Sequence, residues 1–264
     1  MQPMKLIALL IVSAALLFAQ GRGGRGAGQA APPVAAKESA PIDLTGYWVS
    51  IIVDEWRFRV SPQKGDIPYL PLNPAARQAA NAWDPAKDES DGNACKAYGA
   101  VGVMQRPGRL HITWADDNTL KIDTDAGTQT RLVHFGAAPT QLPAASWQGY
   151  STGQWQVNGR ALIDLGGIGL VRGGGASIPR SGSLKVVTTN MLPGYIRKNG
   201  VPYSGSAVLT EYFNRVTGAQ NDVYFAVTAM VEDPAYLTQP FVRTYQFKQQ
   251  PDNSGWDPTA CLTR

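Results

Sequence analysis

The sequence predicts an all-β fold, an antiparallel up-and-down barrel of about 8 to 10 strands with one short helix near the N-terminus. Three observations support this. From residue 42 onward, apolar and polar residues alternate with period 2 in one run after another. Gly, Asn, Asp and Pro break those runs at short intervals, and a convincing helical segment occurs once, early in the domain.

The alternation is clearest in residues 108–135, GRLHITWADDNTLKIDTDAGTQTRLVHF. Leu110, Ile112 and Trp114 alternate, then Leu120 and Ile122, and Thr130 and Leu132 continue the pattern more weakly. Asp116-Asp117-Asn118 and Asp125-Ala126-Gly127 separate the runs and predict three-residue hairpin loops, with Asn118 left-handed. That loop length sets Trp114 opposite Leu120, Ile112 opposite Ile122 and Leu120 beside Leu132, so one face of a three-stranded meander is apolar. It also separates the two histidines. His134 shares the apolar face, whereas His111 sits on the polar face opposite Asp123, near Lys121 and Arg131, in a solvated cross-strand pair worth under about 1 kcal/mol.

In chain order, residues 1–19 combine one lysine with an unbroken apolar run from Leu6 to Ala19. This is the pattern of a secretory signal peptide, shorter than the roughly 20 residues of a membrane span. No cysteine lies near the expected cut after Ala19, so the expected location is secreted or periplasmic, without a lipid anchor or stable membrane insertion. Residues 20–41 are rich in Gly, Ala and Pro and predict a disordered leader. Its two Gly-Arg steps are too few for nucleic-acid binding, and a net charge of +4 over the whole chain is too weak and scattered for a nucleic-acid or membrane-surface partner. Residues 42–264 then form a single barrel domain.

That domain opens with a strand in residues 42–60, with bulky side chains on both faces. Residues 62–71 are a proline-punctuated loop. Asn73 caps a helix over residues 74–83 with Pro74 at its first position, and Trp83-Asp84-Pro85 ends it. Beyond the meander, residues 137–145 are a proline-broken link. Residues 146–156 read as a strand with Trp147 and Trp155 on one face and Tyr150 on the other, bent at Gly149 and Gly153. Residues 166–182 are glycine-rich but lack both the strand-to-helix context of a dinucleotide fingerprint and a Gly-Lys-Ser/Thr step, so they read as a surface loop and imply no cofactor. Four strands close the chain, over 184–190, 207–216 after an Asn199-Gly200 turn, 222–231 and 241–249. Cys95 and Cys261 predict a disulfide in an oxidising compartment, and with two histidines and no CxxC the chain offers no metal site.

Several runs resemble, in the same order, a large family of secreted bacterial proteins of unknown function with a lipocalin-like β-barrel. They are LTGYW, WDPAKDE leading to Cys95, PGRLHITW, TLKIDTDAGTQTR, SWQGYS, NGVPYS, LTEYF and VEDPAYLTQPF. The Gly46-Tyr47-Trp48 step also resembles the GxW that opens the first lipocalin strand. The resemblance implies the barrel and no established reaction. Relatives often carry histidine where this chain has Tyr150 and Tyr203, so no histidine-based chemistry is carried over.

The function expected is the binding of a small, largely apolar or aromatic molecule in the barrel interior, lined by Trp48, Trp114, Trp147, Trp155, Tyr150 and Arg131. One alternative is a cofactor-free acid/base enzyme, an isomerase, lyase or hydratase, with His134 and Glu211 as its catalytic pair. Glu211 shares a face with Leu209 and Phe213, and a structural ion pair with Arg131 or Arg215 is its competing role. A third possibility is a structural module of the cell envelope with a filled barrel.

Overall fold

A closed ring with an odd number of strands cannot be antiparallel throughout, and this barrel has nine. The computed structural model describes residues 34–60, 62–158 and 181–263. The expected signal peptide, the leader up to residue 33 and residues 166–180 of the glycine-rich loop lie outside the described residues. The strands are β1 (Gly46–Ile51), β2 (Arg109–Asp116), β3 (Thr119–Thr124), β4 (Gln129–Phe135), β5 (Tyr150–Asn158), β6 (Ser181–Thr189), β7 (Gly194–Arg197), β8 (Val201–Tyr203), β9 (Val208–Thr217), β10 (Val223–Glu232) and β11 (Phe241–Gln250). The ring order is β1-β11-β10-β9-β6-β5-β4-β3-β2. Each antiparallel neighbour reverses direction, so nine strands require a parallel join. It falls between β4 and β5, where Val133 faces Ser151 and His134 faces Thr152. Residues 136–149 carry the chain back along the barrel to make that join, as a parallel connection demands. The expected all-β barrel is therefore present, with one parallel seam in an otherwise antiparallel ring. β7 and β8 form a separate hairpin inserted between β6 and β9.

The helices are more numerous than expected and all short: α1 (Ala36–Ser39), α2 (Trp56–Val60), α3 (Pro74–Ala82), α4 (Pro85–Ser90), a 3-10 turn (Ala94–Tyr98) and α5 (Ala100–Val103). α3 is the predicted helix, with the Asn73 side chain accepting from Ala76 N at 2.9 Å. Asp84-Pro85 both ends it and starts α4, because Asp84 accepts from Ala86 N while Pro85 takes the first helical position. The strand expected over 42–60 stops at Ile51 and turns into α2. No helix among the described residues is long and apolar enough to cross a membrane.

The first hairpin has the predicted register: Trp114 pairs with Leu120, Ile112 with Ile122 and His111 with Asp123. The second does not. Thr124 pairs with Gln129 across a four-residue loop in which Gly127 and Thr128 both have positive φ, +75° and +48°. One added loop residue exchanges the faces of β4. Arg131 and Val133 point inward, while Leu132 is 41% exposed and His134 pairs with Thr119 on the outer face.

The lumen is layered. Its middle is filled by Trp48, Phe213, Phe225 and Phe247 packed ring on ring, with Trp48 4.6 Å and Phe247 4.8 Å from Phe225 between centroids, and by Ile112, Leu120, Val133 and Leu184. About this many strands leaves an interior just wide enough for side chains. One end holds Trp114, Phe135 and Trp155 in mutual contact. Over them lies residues 34–41, a stretch read from sequence as disordered leader. Ala36 N donates to Asn118 Oδ1, Lys37 N to Asp117 O, and Trp155 Nε1 to Ala36 O. This segment is an N-terminal strap, and the ordered domain starts before residue 42. The other end is closed by α2, α5, the 103–107 segment and the β7–β8 hairpin. Nearby, the Cys95–Cys261 disulfide (Cα–Cα 5.1 Å) ties the C-terminal tail to the 3-10 turn across 166 residues. In a chain-entropy treatment a loop of that length stabilises by about 5 kcal/mol.

Candidate functional site

The residues singled out from sequence do not assemble into one pocket. Trp48 is sealed in the middle of the lumen, Trp114 and Trp155 sit under the strap, and Trp147 lies in the turn before β5, its carbonyl accepting from Ala100 N. Tyr150 is on the outer face, stacked on His134 at 4.9 Å between ring centroids. His134 Nδ1 lies 3.5 Å from Thr119 Oγ1 on that face, whereas Glu211 is wholly buried inside. The proposed acid/base pair therefore stands on opposite sides of the sheet wall, for the register reason given above. Asp123 is held by Lys121 and Thr130, and His111 stacks instead on Tyr47 at 4.0 Å with Trp256 edge-on to both. Among the described residues no group of three or more His, Cys, Asp or Glu is placed to hold a metal ion.

The lumen end opposite the strap is polar. Arg131, which shares the inward parity of Val133, donates from Nε to Ser151 Oγ at 2.9 Å and from Nη2 to Thr188 Oγ1 at 2.7 Å, and forms an ion pair with Glu211. Ser151 and Thr188 also bond each other at 2.8 Å. This is the structural ion pair weighed for Glu211, with Arg131 as its partner.

Beyond it, four more arginines meet around Tyr245. β11 presents Phe241, Arg243, Tyr245 and Phe247 inward by strand alternation. α2 supplies Arg59, the segment after α5 supplies Arg106 and β7 supplies Arg197. Arg59 stacks over Tyr245 at 5.2 Å and Arg197 over Phe58 at 4.5 Å. The Arg106 guanidinium interacts electrostatically with Tyr98, Tyr245, Arg59 and Arg197, and the Tyr245 phenol with Arg59, Arg243, Glu55 and Arg197. Gln105 braces the cluster, accepting from Arg59 Nε through its carbonyl and donating from Nε2 to Ile196 O at 2.6 Å.

The acids around these guanidiniums are few. Glu55 accepts from Arg243 Nε and Nη2 at 2.9 and 3.0 Å and from Arg197 Nη2 at 3.5 Å. Asp54 lies 3.6 Å from Arg59 Nη1 but is 54% exposed, and Asp66 is engaged by Arg57. Arg59, Arg106 and Arg197 are at most 5% exposed, and among the described residues Nη1 and Nη2 of Arg59, Nε and Nη2 of Arg106 and Nη1 of Arg197 have no hydrogen-bond partner. Burial lowers the affinity of all three for their protons, taking Arg106 down to about 10, so each still carries its charge at neutral pH. Burial likewise raises the Tyr245 phenol, which stays neutral and cannot offset them. Buried cations with unfilled donors are costly, and an anion accepting those hydrogen bonds would offset the cost. Chemically, then, the arrangement offers buried positive charge and open hydrogen-bond donors to an anionic acceptor.

A surface cleft of about 470 Å³ borders the same elements. It is lined by Val60 and Lys198, the chain neighbours of Arg59 and Arg197, together with Lys64 and Trp83. A second, of about 380 Å³, runs along the outer face of β5 and β6 past Gly153 and Lys185.

Sequence reasoning missed Arg59, Arg106, Arg197, Arg243, Glu55 and Tyr245. Only Arg243 and Tyr245 left a signal, since they alternate in step with Phe241 and Phe247 and so fall on their inward face.

No family model matches the chain, and no curated protein or solved structure matches it.

Proposed function

We propose that the protein is an exported binding barrel for a small anionic molecule, taken up at the capped, arginine-rich end of the lumen. The observation that carries this reading is the set of buried guanidinium N–H groups on Arg59, Arg106 and Arg197 that find no hydrogen-bond partner among the described residues. The leader sequence and the disulfide support export, and the likeness of LTGYW, PGRLHITW and LTEYF to secreted barrel proteins belongs to the same proposal. An apolar guest in the middle of the lumen would have to displace packed rings, and an acid/base enzyme would need a base other than His134. Both considerations favour an anion at the end over a greasy molecule in the centre.

Thermal unfolding and calorimetric titration of the mature protein against carboxylates, phosphate and sulfate, with chloride at matched ionic strength as the control, test the proposal. Ligand at a hundredfold excess over its Kd stabilises by about 2.7 kcal/mol, a Tm rise of about 5 to 10 °C for a domain of this size. Arg106→Gln is expected to abolish that rise. If no anion raises Tm beyond chloride, the reading is wrong.

A further inference from the structure

We infer that the anion recognised at this end is a dianionic tetrahedral oxyanion, a phosphate or sulfate group, and that the Glu55 carboxylate occupies its place in the free protein. This rests on the anion-binding reading above and narrows it.

The charge inventory sets the valence. Among the described residues Arg59, Arg106, Arg197 and Arg243 are set against two acids, Glu55 and the half-exposed Asp54, with Asp66 matched by Arg57, which leaves an excess of two positive charges around a neutral Tyr245. A monocarboxylate would leave one of them uncompensated. A phosphate monoester or sulfate brings about −1.5 to −2 at neutral pH.

The free donors set the shape. Nε and Nη2 of Arg106 form one bidentate edge of its guanidinium, and Nη1 and Nη2 of Arg59 form another; Arg197 adds Nη1. These forks come from three separate elements, α2, the 103–107 segment and β7. A planar carboxylate accepts one fork in its own plane, whereas a tetrahedral group offers oxygens in several directions and can accept more than one.

Glu55 marks where the ligand goes. It has φ +49°, a left-handed conformation that costs a residue with a side chain, immediately before α2, where its carbonyl accepts from Phe58 N and Arg59 N. That turn carries its carboxylate into a bidentate bond with Arg243 and on to Arg197. Glu55 and Arg243 are about a quarter exposed, in contrast to the sealed arginines behind them, so they form the rim through which a small anion enters. Arriving oxyanion displaces the carboxylate from Arg197 and takes up the vacant donors of Arg59 and Arg106.

The test titrates inorganic phosphate, sulfate, acetate and succinate separately into the mature protein and into Glu55→Gln, with Glu55→Gly as a second variant that suits the left-handed backbone. Phosphate or sulfate is expected to bind at least about tenfold more tightly than acetate, and separate titrations decide between those two. Without ligand, Glu55→Gln is expected to melt at lower temperature than the natural protein; with phosphate or sulfate it is expected to bind about tenfold more tightly, because the internal competitor is gone. A purely structural Glu55 would lower the melting temperature with no gain in affinity, and that result in both variants overturns its assignment as the resident occupant. Acetate or succinate affinity within about tenfold of that for phosphate and sulfate overturns the ligand class while the anion-binding reading stands. No binding by any of the four removes both.

Discussion

The two ends of the barrel are closed by opposite means. At one, Trp114, Phe135 and Trp155 are covered by a strap of small residues that needs three hydrogen bonds to stay in place, and the rings beneath it remain partly exposed. At the other, the lid itself carries charge: α2, the 103–107 segment and β7 bury three arginines against a lumen that already contains the Arg131–Glu211 pair. Apolar surface is indifferent to the identity of what covers it. Guanidinium groups require acceptors of particular number and direction, and this lid buries more of their N–H groups than the described residues satisfy. On this contrast rests the proposal of binding at the charged end and structural closure at the apolar one.

The largest effect that would sharpen this contrast is expected at the charged end. Glu211→Ala leaves Arg131 buried without its carboxylate and should cost about 3 to 5 kcal/mol in urea unfolding, while Arg131→Met combined with Glu211→Leu should recover most of that loss. A cost below about 1 kcal/mol for the single substitution would mean that water reaches the pair and that this end is not sealed. At the strapped end the expected change is smaller. Trp155→Phe keeps a ring but removes the donor to Ala36 O, for a loss of about 1 kcal/mol, with faster proteolytic cutting within residues 34–41. Equal costs for Trp155→Phe and Glu211→Ala would erase the distinction between the two closures.

The smallest effect is a pH dependence at the strapped end. The Asn118 main-chain N–H, followed by Thr119, holds the Asp116 carboxylate below its ordinary 3.8. Such a group contributes stability that is present above 3.8 and is lost as the pH falls through its lower folded value. Asn118 also anchors Ala36 N, so amide protection factors, taken relative to the intrinsic exchange rate at each pH, should fall at the 116–119 turn and at the strap on acidification below 3.8. Protection there that ignores acid would detach the strap from the turn.

Much of the barrel was legible in the sequence because period-2 alternation depends only on neighbouring residues. The four barrel strands after the glycine-rich loop, the capped helix at Asn73 and the pairing of Trp114 with Leu120 all follow from local pattern, whereas the short β7–β8 hairpin does not. The face of β4 was not legible, because a loop of three residues and a loop of four look alike in DAGTQ while the faces of the strand that follows depend on which it is. Misplacing that one residue moved His134 into the lumen and Arg131 out of it. The arginine cluster was less accessible still. RFRV, QRPGR, GYIRKNG and FVRTY are ordinary charged stretches when read singly, and no spacing links them.

By itself the sequence determined an all-β chain, the positions of most strands, the register of one hairpin and the pairing of its two cysteines, each a matter of local periodicity or of simple count. Only the tertiary structure decided that an odd ring needs a parallel seam, which side of β4 faces inward, and that four arginines far apart in the chain gather around one phenol, two of them on one carboxylate. Those outcomes depend on closure, a constraint that acts on all strands together, so no single segment of the sequence carries it.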